Sequence, residues 1–380
     1  MNVGSIRRNE GAEQNSNVGA ATVDPLIDCD LHPLVPMKEL LDRMSATSKR
    51  GLHVADHVAA AGREHNRLLH PTGTLRLDAV PPSGGAPGSD PSYVVSQWLD
   101  PQNISAAILM LFQGSAVVPW GNGDAVNEYC SALNDYLLEH WYGCDKRFRI
   151  LVTVSPHDSD AAIREIERVA DRPGVVGINI PLAAVSLGHA SFQRLYEVAA
   201  HHKLPLMCHV TGTEGNILNA PAMAGGTVRT YCEHHAMLVQ SGQAAVAAIT
   251  LSGALARNPD LRFVLSEFGF SWVPAMMGRM DVAWQQSGGS DGVITRRPSE
   301  YVIEQVRFTT QPFDEPRNTR DLRPLLDAMR ADKTLLFSSD YPHWDNDNPA
   351  VIFKARLPVH LRQRVAGENA KDCFGERLWN

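Results

Sequence analysis

The stretch Ile27-Asp28-Cys29-Asp30-Leu31-His32-Pro33 decides the fold. An apolar run gives way to Asp30 and His32, and Pro33 closes it. In a strand, side chains two residues apart point to the same side, so Asp30 and His32 can converge on one point. A carboxylate oxygen and an imidazole nitrogen at a strand end suit a divalent metal ion. Taken alone, the plainer reading is a strand end with a solvated Asp and a capping His, because short motifs are weak evidence. The rest of the chain shifts that balance by placing a His and an Asp at the ends of two later strands.

Working outward, the first strand covers 26–31. Seven further strand patterns follow at 104–112, 148–154, 175–180, 204–210, 261–267, 306–310 and 334–338. Helical spacing of apolar residues fills the gaps, at 124–141, about 159–170, 192–201, twice within 231–257, 270–286 and 320–329. Short apolar strands that alternate with helices imply a parallel sheet buried on both faces. Eight such repeats suggest closure into a (β/α)8 TIM barrel more than an open dinucleotide-binding sheet. No G-x-G-x-x-G follows the first strand, which also weighs against an oxidoreductase using a nicotinamide cofactor.

The 380 residues fit such a barrel with insertions. A hydrophobic share of 44% and a charged share of 20% are those of a globular chain. The net charge of −7 argues against a nucleic-acid surface. No apolar run approaches the roughly 20 residues that span a bilayer, so no membrane partner is expected. The six cysteines are scattered without a C-x-x-C pair, which fits reduced thiols in the cytoplasm. Residues 1–23 are polar and lack an apolar core, and they read as a disordered leader. Residues 24–380 then form one barrel domain, interrupted by an irregular insertion at about 51–99. The centre of that insertion, 74–88, is dense in Pro and Gly, and a loop of this length is commonly a lid, a binding loop or a disordered segment.

Active sites of these barrels sit at the C-terminal ends of the strands. His209 ends the fifth strand and Asp340 follows the eighth. With Asp30 and His32 they bring two imidazoles and two carboxylates to one mouth. Singly, His209 reads as a rim histidine and Asp340 as a helix cap; together they read as a metal site. An ion there would acidify bound water and polarise a substrate oxygen, and Asp340 could serve as both ligand and proton acceptor.

Asp30-Leu31-His32, His209 and Ser338-Ser339-Asp340-Tyr341-Pro342-His343 resemble the metal-site motifs of the amidohydrolase superfamily. The likeness is closest to its amidohydrolase-related branch, also called amidohydrolase 2. That branch includes aminocarboxymuconate-semialdehyde, γ-resorcylate and 5-carboxyvanillate decarboxylases. Arg76-Leu77-Asp78-Ala79, the stretch 261–274, Arg307-Phe308-Thr309-Thr310-Gln311-Pro312 and Glu368-Asn369-Ala370 look like the same branch. The resemblance spans roughly residues 26 to 376. It implies a (β/α)8 barrel with one divalent ion, Zn2+ or Mn2+, and either non-oxidative decarboxylation or hydrolysis. His32, His209 and Asp340 match metal ligands, and Asp30 takes the first position of the His-x-His motif. A carboxylate there moves the site towards harder ligation, and so towards manganese. A homodimer is expected on the resemblance only.

One position departs from the pattern. Where many relatives carry a strand-6 His, this chain has Ser266-Glu267. Glu267 could accept a proton or orient a water; otherwise it is a structural partner of an arginine, Arg279 or Arg307. Three more residues are candidate substrate contacts. His343 could face the mouth or bond backbone in its loop. Of the adjacent His234 and His235 at most one points inward, and His234 is the favoured one. Arg76 could clamp a carboxylate with its planar fork or form a surface ion pair. The expected activity is decarboxylation of a small aromatic or unsaturated carboxylic acid. Hydrolysis of an amide, lactone or ester is the alternative, and a non-catalytic metal-binding barrel is the rival from another class.

Overall fold

The computed structural model describes residues 25–50 and 75–379, apart from 116, 119–122, 212–213, 216–218, 227, 229 and 290–291. The expected leader and the 51–74 part of the insertion lie outside the described residues.

Eight parallel strands make one sheet in sequential order, β1 (Leu26–Leu31), β2 (Ile104–Leu109), β3 (Phe148–Thr153), β4 (Val175–Asn179), β5 (Leu206–His209), β6 (Phe263–Ser266), β7 (Val306–Thr309) and β8 (Leu335–Leu336). Each pairs with the next. The segment just past β8 closes the sheet onto β1, where Leu31 makes a parallel bridge with Tyr341. Cys29 N–H donates to Phe337 O at 2.9 Å, Asp340 N–H to Asp30 O at 3.0 Å and His32 N–H to Tyr341 O at 2.8 Å. This is the (β/α)8 barrel that the alternating pattern predicts.

The strands are apolar on both faces because both faces are covered. Ile27, Cys29, Ile108, Leu151, Met207 and Val264 belong to an inner cluster that also takes in Ala370, Cys373 and Phe374 of the helix Asn369–Phe374. A second, larger cluster lies between the strands and the surrounding helices, with Leu31, Leu109, Ile150, Ile178, Phe263 and Phe308 from the strands. No helix among the described residues is long and apolar enough to cross a membrane. All six cysteines are free thiols.

Residues 75–99 lie against the loop that follows β8. Leu75 makes an antiparallel bridge with His343, and Arg76 N–H donates to Pro342 O at 2.9 Å. The Trp98 and Tyr341 rings stack with centroids 5.0 Å apart. Gly88, at φ +74°, passes so close to β1 that a Cβ there would lie 2.8 Å from His32 O.

Candidate metal centre

β1 carries the first two polar groups, and a register shift in its pairing with β2 falls between Asp28 and Leu31. Before the shift, Ile27 and Cys29 join the inner cluster while Asp28 meets Trp98 of the outer layer. Beyond it, Asp30 and His32 come together over the barrel. Such irregularities re-aim side chains next to active sites. β5 ends on His209, β6 leads into Glu267, and Asp340 follows β8.

The ring nitrogens of His32 and His209 and the carboxylates of Glu267 and Asp340 offer four ligand atoms within 4.8 Å of one another. His32 Nε2 lies 2.8 Å from Asp340 Oδ1 and 3.4 Å from Asp30 Oδ1. His209 Nε2 lies 3.2 Å from Asp30 Oδ2 and 3.0 Å from Glu267 Oε2. The other nitrogen of each ring is committed to the backbone: His32 Nδ1 donates to Met110 O at 2.8 Å, and His209 Nδ1 donates to Val210 O. That fixes both rings with Nε2 turned to the carboxylates, the orientation metal-ligating histidines take. All five residues are buried. Although buried, Asp30 Oδ1, Glu267 Oε2 and Asp340 Oδ2 accept no hydrogen bond among the described residues. Carboxylate oxygens stranded beside imidazole nitrogens fit a cation, because a positive ion satisfies every one of them at once. The donor set has imidazole and carboxylate but no thiolate, which suits a borderline or hard divalent ion.

Electrostatics follow from this crowding. Burial works to raise the Asp30 carboxyl, but the His209 and His32 imidazoles outweigh it and hold it below its ordinary value. Asp340 is likewise held well below its ordinary value, by His343 and His32 against burial. Burial opposes a charge on His209, yet Asp30 and Glu267 push its pKa well up. His343 donates Nδ1–H to Asp340 Oδ1, and that carboxylate lifts the imidazole to about 9 against its burial. Glu267 and Asp340 both have left-handed backbone, with φ of +65° and +63°. Non-glycine residues seldom accept that conformation, and such strain gathers at functional sites.

The other expected contacts sort differently. His343 faces Asp340, its ring 4.8 Å from that of His32. Arg76 does not reach the cluster; its fork bonds Asp78, and Nη1 donates to Asn346 Oδ1 at 2.8 Å. His234 is buried on the helix Tyr231–Met237, but His235 is the neighbour of the pair that comes within 4.0 Å of Glu267. Glu267 pairs with histidines and not with an arginine. Arg307 donates to the Val306 and Ile303 carbonyls near Cys373, and Arg279 lines a cleft of about 440 Å3 between the outer helices Val239–Leu251 and Val273–Gln286.

Two buried residues escaped the sequence reading. Ser266 Oγ donates to Asp30 Oδ2. Asp28 accepts from Ser339 N–H at 2.9 Å, Ser339 Oγ at 2.6 Å and Trp98 Nε1 at 3.3 Å. It thereby anchors the residue next to Asp340. An Asp two positions before Asp30 within an apolar run was the available signal.

A family model described as Amidohydrolase matches residues 27–375. No curated protein matches the chain. Among solved structures, an amidohydrolase from Mycobacterium avium subsp. paratuberculosis superposes with a TM-score of 0.69 at 18% identity, over 94% of this chain and 99% of that one. A 5-carboxyvanillate decarboxylase from Novosphingobium aromaticivorans, complexed with manganese and 4-hydroxy-3-methoxy-5-nitrobenzoic acid, gives 0.69 at 17% identity over 95% and 99%. A dihydroxybenzoic acid decarboxylase from Polaromonas sp. JS666, with bound manganese and 2-nitroresorcinol, gives 0.62 at 18% over 94% and 99%.

Proposed function

The chain belongs to the amidohydrolase family, and from that premise we propose that it is a metal-dependent enzyme that releases CO2 from a small aromatic or unsaturated carboxylic acid. The observation that carries the reading is the convergence of His32, His209, Glu267 and Asp340 within 4.8 Å, with both rings oriented from behind by backbone carbonyls. Asp30, His32, His209 and Asp340 would hold the ion, and Glu267 is a further donor beside His209. When bound, the ion supplies positive charge and Lewis acidity to a substrate carboxylate. Manganese in preference to zinc, a cytoplasmic location and a homodimer complete the reading. They rest on donor hardness, on scattered free thiols and on the family resemblance.

The chain's own groups handle the proton. Asp340 Oδ1 accepts from His343 Nδ1, so the carboxylate that would hold the ion is also joined to a proton donor. As the carbon–carboxyl bond breaks, its electron pair stays on the ring or chain carbon and CO2 leaves. That carbon takes a proton through Asp340, and His343 Nδ1 is its source. One observation favours a second reading. Glu267 Oε2 sits 3.0 Å from His209 Nε2, placed to take a proton from an attacking water in hydrolysis of an amide, ester or lactone.

The test has two arms. Elemental analysis of the purified chain should give about one zinc or manganese per chain, and Asp30→Ala and His209→Ala should lose it. The metal-loaded chain is then assayed for CO2 release from aromatic and unsaturated carboxylates, against hydrolysis of amides, esters and lactones. Asp340→Asn should abolish turnover. No bound metal after incubation with zinc or manganese would sink the enzymatic reading. Partner binding that survives Asp340→Asn without any turnover in the parent would favour a non-catalytic barrel.

A further inference from the structure

We propose that His235, Asp345 and Glu267 form a subsite beside the metal centre that binds a ring hydroxyl of an aromatic carboxylic acid, an inference that rests on the function proposed above. His235 lies on the helix Tyr231–Met237, and Asp345 lies in the loop that follows β8. His235 Nε2 is 3.8 Å from Asp345 Oδ2 and 4.0 Å from Glu267 Oε1. Both separations exceed a direct hydrogen bond, which closes to roughly 2.7–3.2 Å. Both suit one oxygen set between the imidazole and a carboxylate. His235 Nε2 is itself buried and has no hydrogen-bond partner among the described residues. A buried polar nitrogen left without a partner is costly, so the arrangement is complete only when something bonds it.

The surrounding groups select the chemistry of that something. Two carboxylates disfavour a second carboxylate of the substrate here. They favour a group that donates a hydrogen bond while accepting one from the imidazole, which is what a hydroxyl does. Aromatic side chains stand beside the gap. The Tyr231 ring stacks on His235 with centroids 5.6 Å apart, and Trp344 meets Tyr231 edge-on at 6.2 Å. Trp344 is 49% exposed, a large apolar surface at the rim that a planar ring can cover. Glu267 links the two sites, with Oε2 beside His209 and Oε1 towards His235. One small ring can therefore place its carboxylate at the ion and its hydroxyl at His235. A site built to bond a hydroxyl rejects the analogue that lacks one, because its own polar groups are then left unpaired.

The experiment is calorimetric titration of the manganese-loaded full chain with benzoate and with 2-, 3- and 4-hydroxybenzoate. One hydroxybenzoate should bind about ten-fold more tightly than benzoate, the gain from a charge-assisted hydrogen bond. In His235→Phe, which keeps a ring for Tyr231 to stack on, and in Asp345→Asn, that ratio should fall to about two or less. Metal content and circular dichroism confirm that each variant is folded and loaded. Benzoate binding with no hydroxyl preference in the parent overturns the subsite alone. So does a preference that survives in both variants. If the loaded chain binds none of the four acids, the subsite and the proposed function fall together.

Discussion

Replacing Asp28 by Asn should make the metal-free protein more stable and a poorer metal binder. Asp28 is fully buried, and burial pushes its carboxyl from the ordinary 3.8 up to about 6, despite hydrogen bonds from Ser339, Trp98 and Asp30. Because the folded-state pKa is the higher one, folding takes up a proton as pH rises past 4, and the native state loses stability up to about pH 6. The shift of about two units corresponds to about 3 kcal/mol by pH 8, at about 1.4 kcal/mol per unit. Asn does not titrate and resembles the protonated acid. Asp28→Asn should therefore match the parent near pH 4 and exceed it by up to about 3 kcal/mol at pH 8. Metal binding should move the opposite way. The carboxylate accepts both Ser339 donors and so fixes Asp340, and its Oδ2 also takes the Trp98 indole N–H. In Asn an amide N–H2 would face that indole donor. Removal of an outer partner of a metal ligand typically costs 10- to 100-fold in affinity, or about 1.4–2.8 kcal/mol. Urea denaturation of chelated protein at pH 4, 6 and 8 and a manganese titration at pH 8 give the two readouts. A variant less stable than the parent at pH 8, or one with unchanged manganese affinity, would refute the reasoning.

Asp347→Asn should stabilise the metal-free protein at pH 8 and leave it nearly unchanged at pH 4, because the folded and unfolded states differ in protonation only above the ordinary carboxyl value of 3.8. Burial raises Asp347 to about 7, Arg356 relieves part of that, and Asp340 and Asp345 add to it. Its Oδ2 is buried without a hydrogen bond among the described residues. The same denaturation series checks it, and equal effects at both pH values would exclude this origin. Gly88→Ala should cost about 1–2 kcal/mol for the left-handed backbone alone. The new Cβ would also press on His32 O at 2.8 Å and on Pro342 at 3.1 Å, so weaker manganese binding is expected as well. A variant with parental stability would show that residues 75–99 do not bear on β1 as described.

The eight strands were legible because each is a short run of apolar residues buried on both faces, and that pattern needs no knowledge of partners. β8 is the exception. A strand over 334–338 was expected, but the ladder holds only Leu335–Leu336, since the polar Ser338, Ser339 and Asp340 turn away to make contacts of their own. The convergence of side chains was legible in its parts: Asp30, His32, His209 and Asp340 stand at strand ends, where the barrel's geometry brings them together, and Glu267 joins them. Long-range pairings were not legible. Asp28 finds Ser339 across a sequence separation of 311, and no local pattern reports that. Glu267 gave no sign that its neighbours would be histidines, and the expected Arg307 turns instead to the Val306 and Ile303 carbonyls. The phase of His234 and His235 depends on where their helix starts. Thr230 sets that by accepting from Glu233 N–H, and one residue of phase decides which ring approaches Glu267. For Arg76 the plainer expectation, an ion pair, was visible two residues away in Asp78.

The closing seam of the barrel and the metal centre share the same residues. Asp30, His32 and Asp340 supply backbone groups to the hydrogen bonds between β1 and the segment past β8, and their side chains meet at the candidate centre. No regular ladder runs across this join; the bonds come from residues just past β8, at Phe337, Asp340 and Tyr341. An ion held there would act as a clasp across the two ends of a wrapped sheet. Its loss should loosen the protein locally before it loosens it globally. The amides of Cys29, His32 and Asp340 would exchange with solvent through small openings of this seam, while the amides of β3 and β4 wait for unfolding of the whole. Filling the site and securing that join would then be coupled: what tightens one tightens the other.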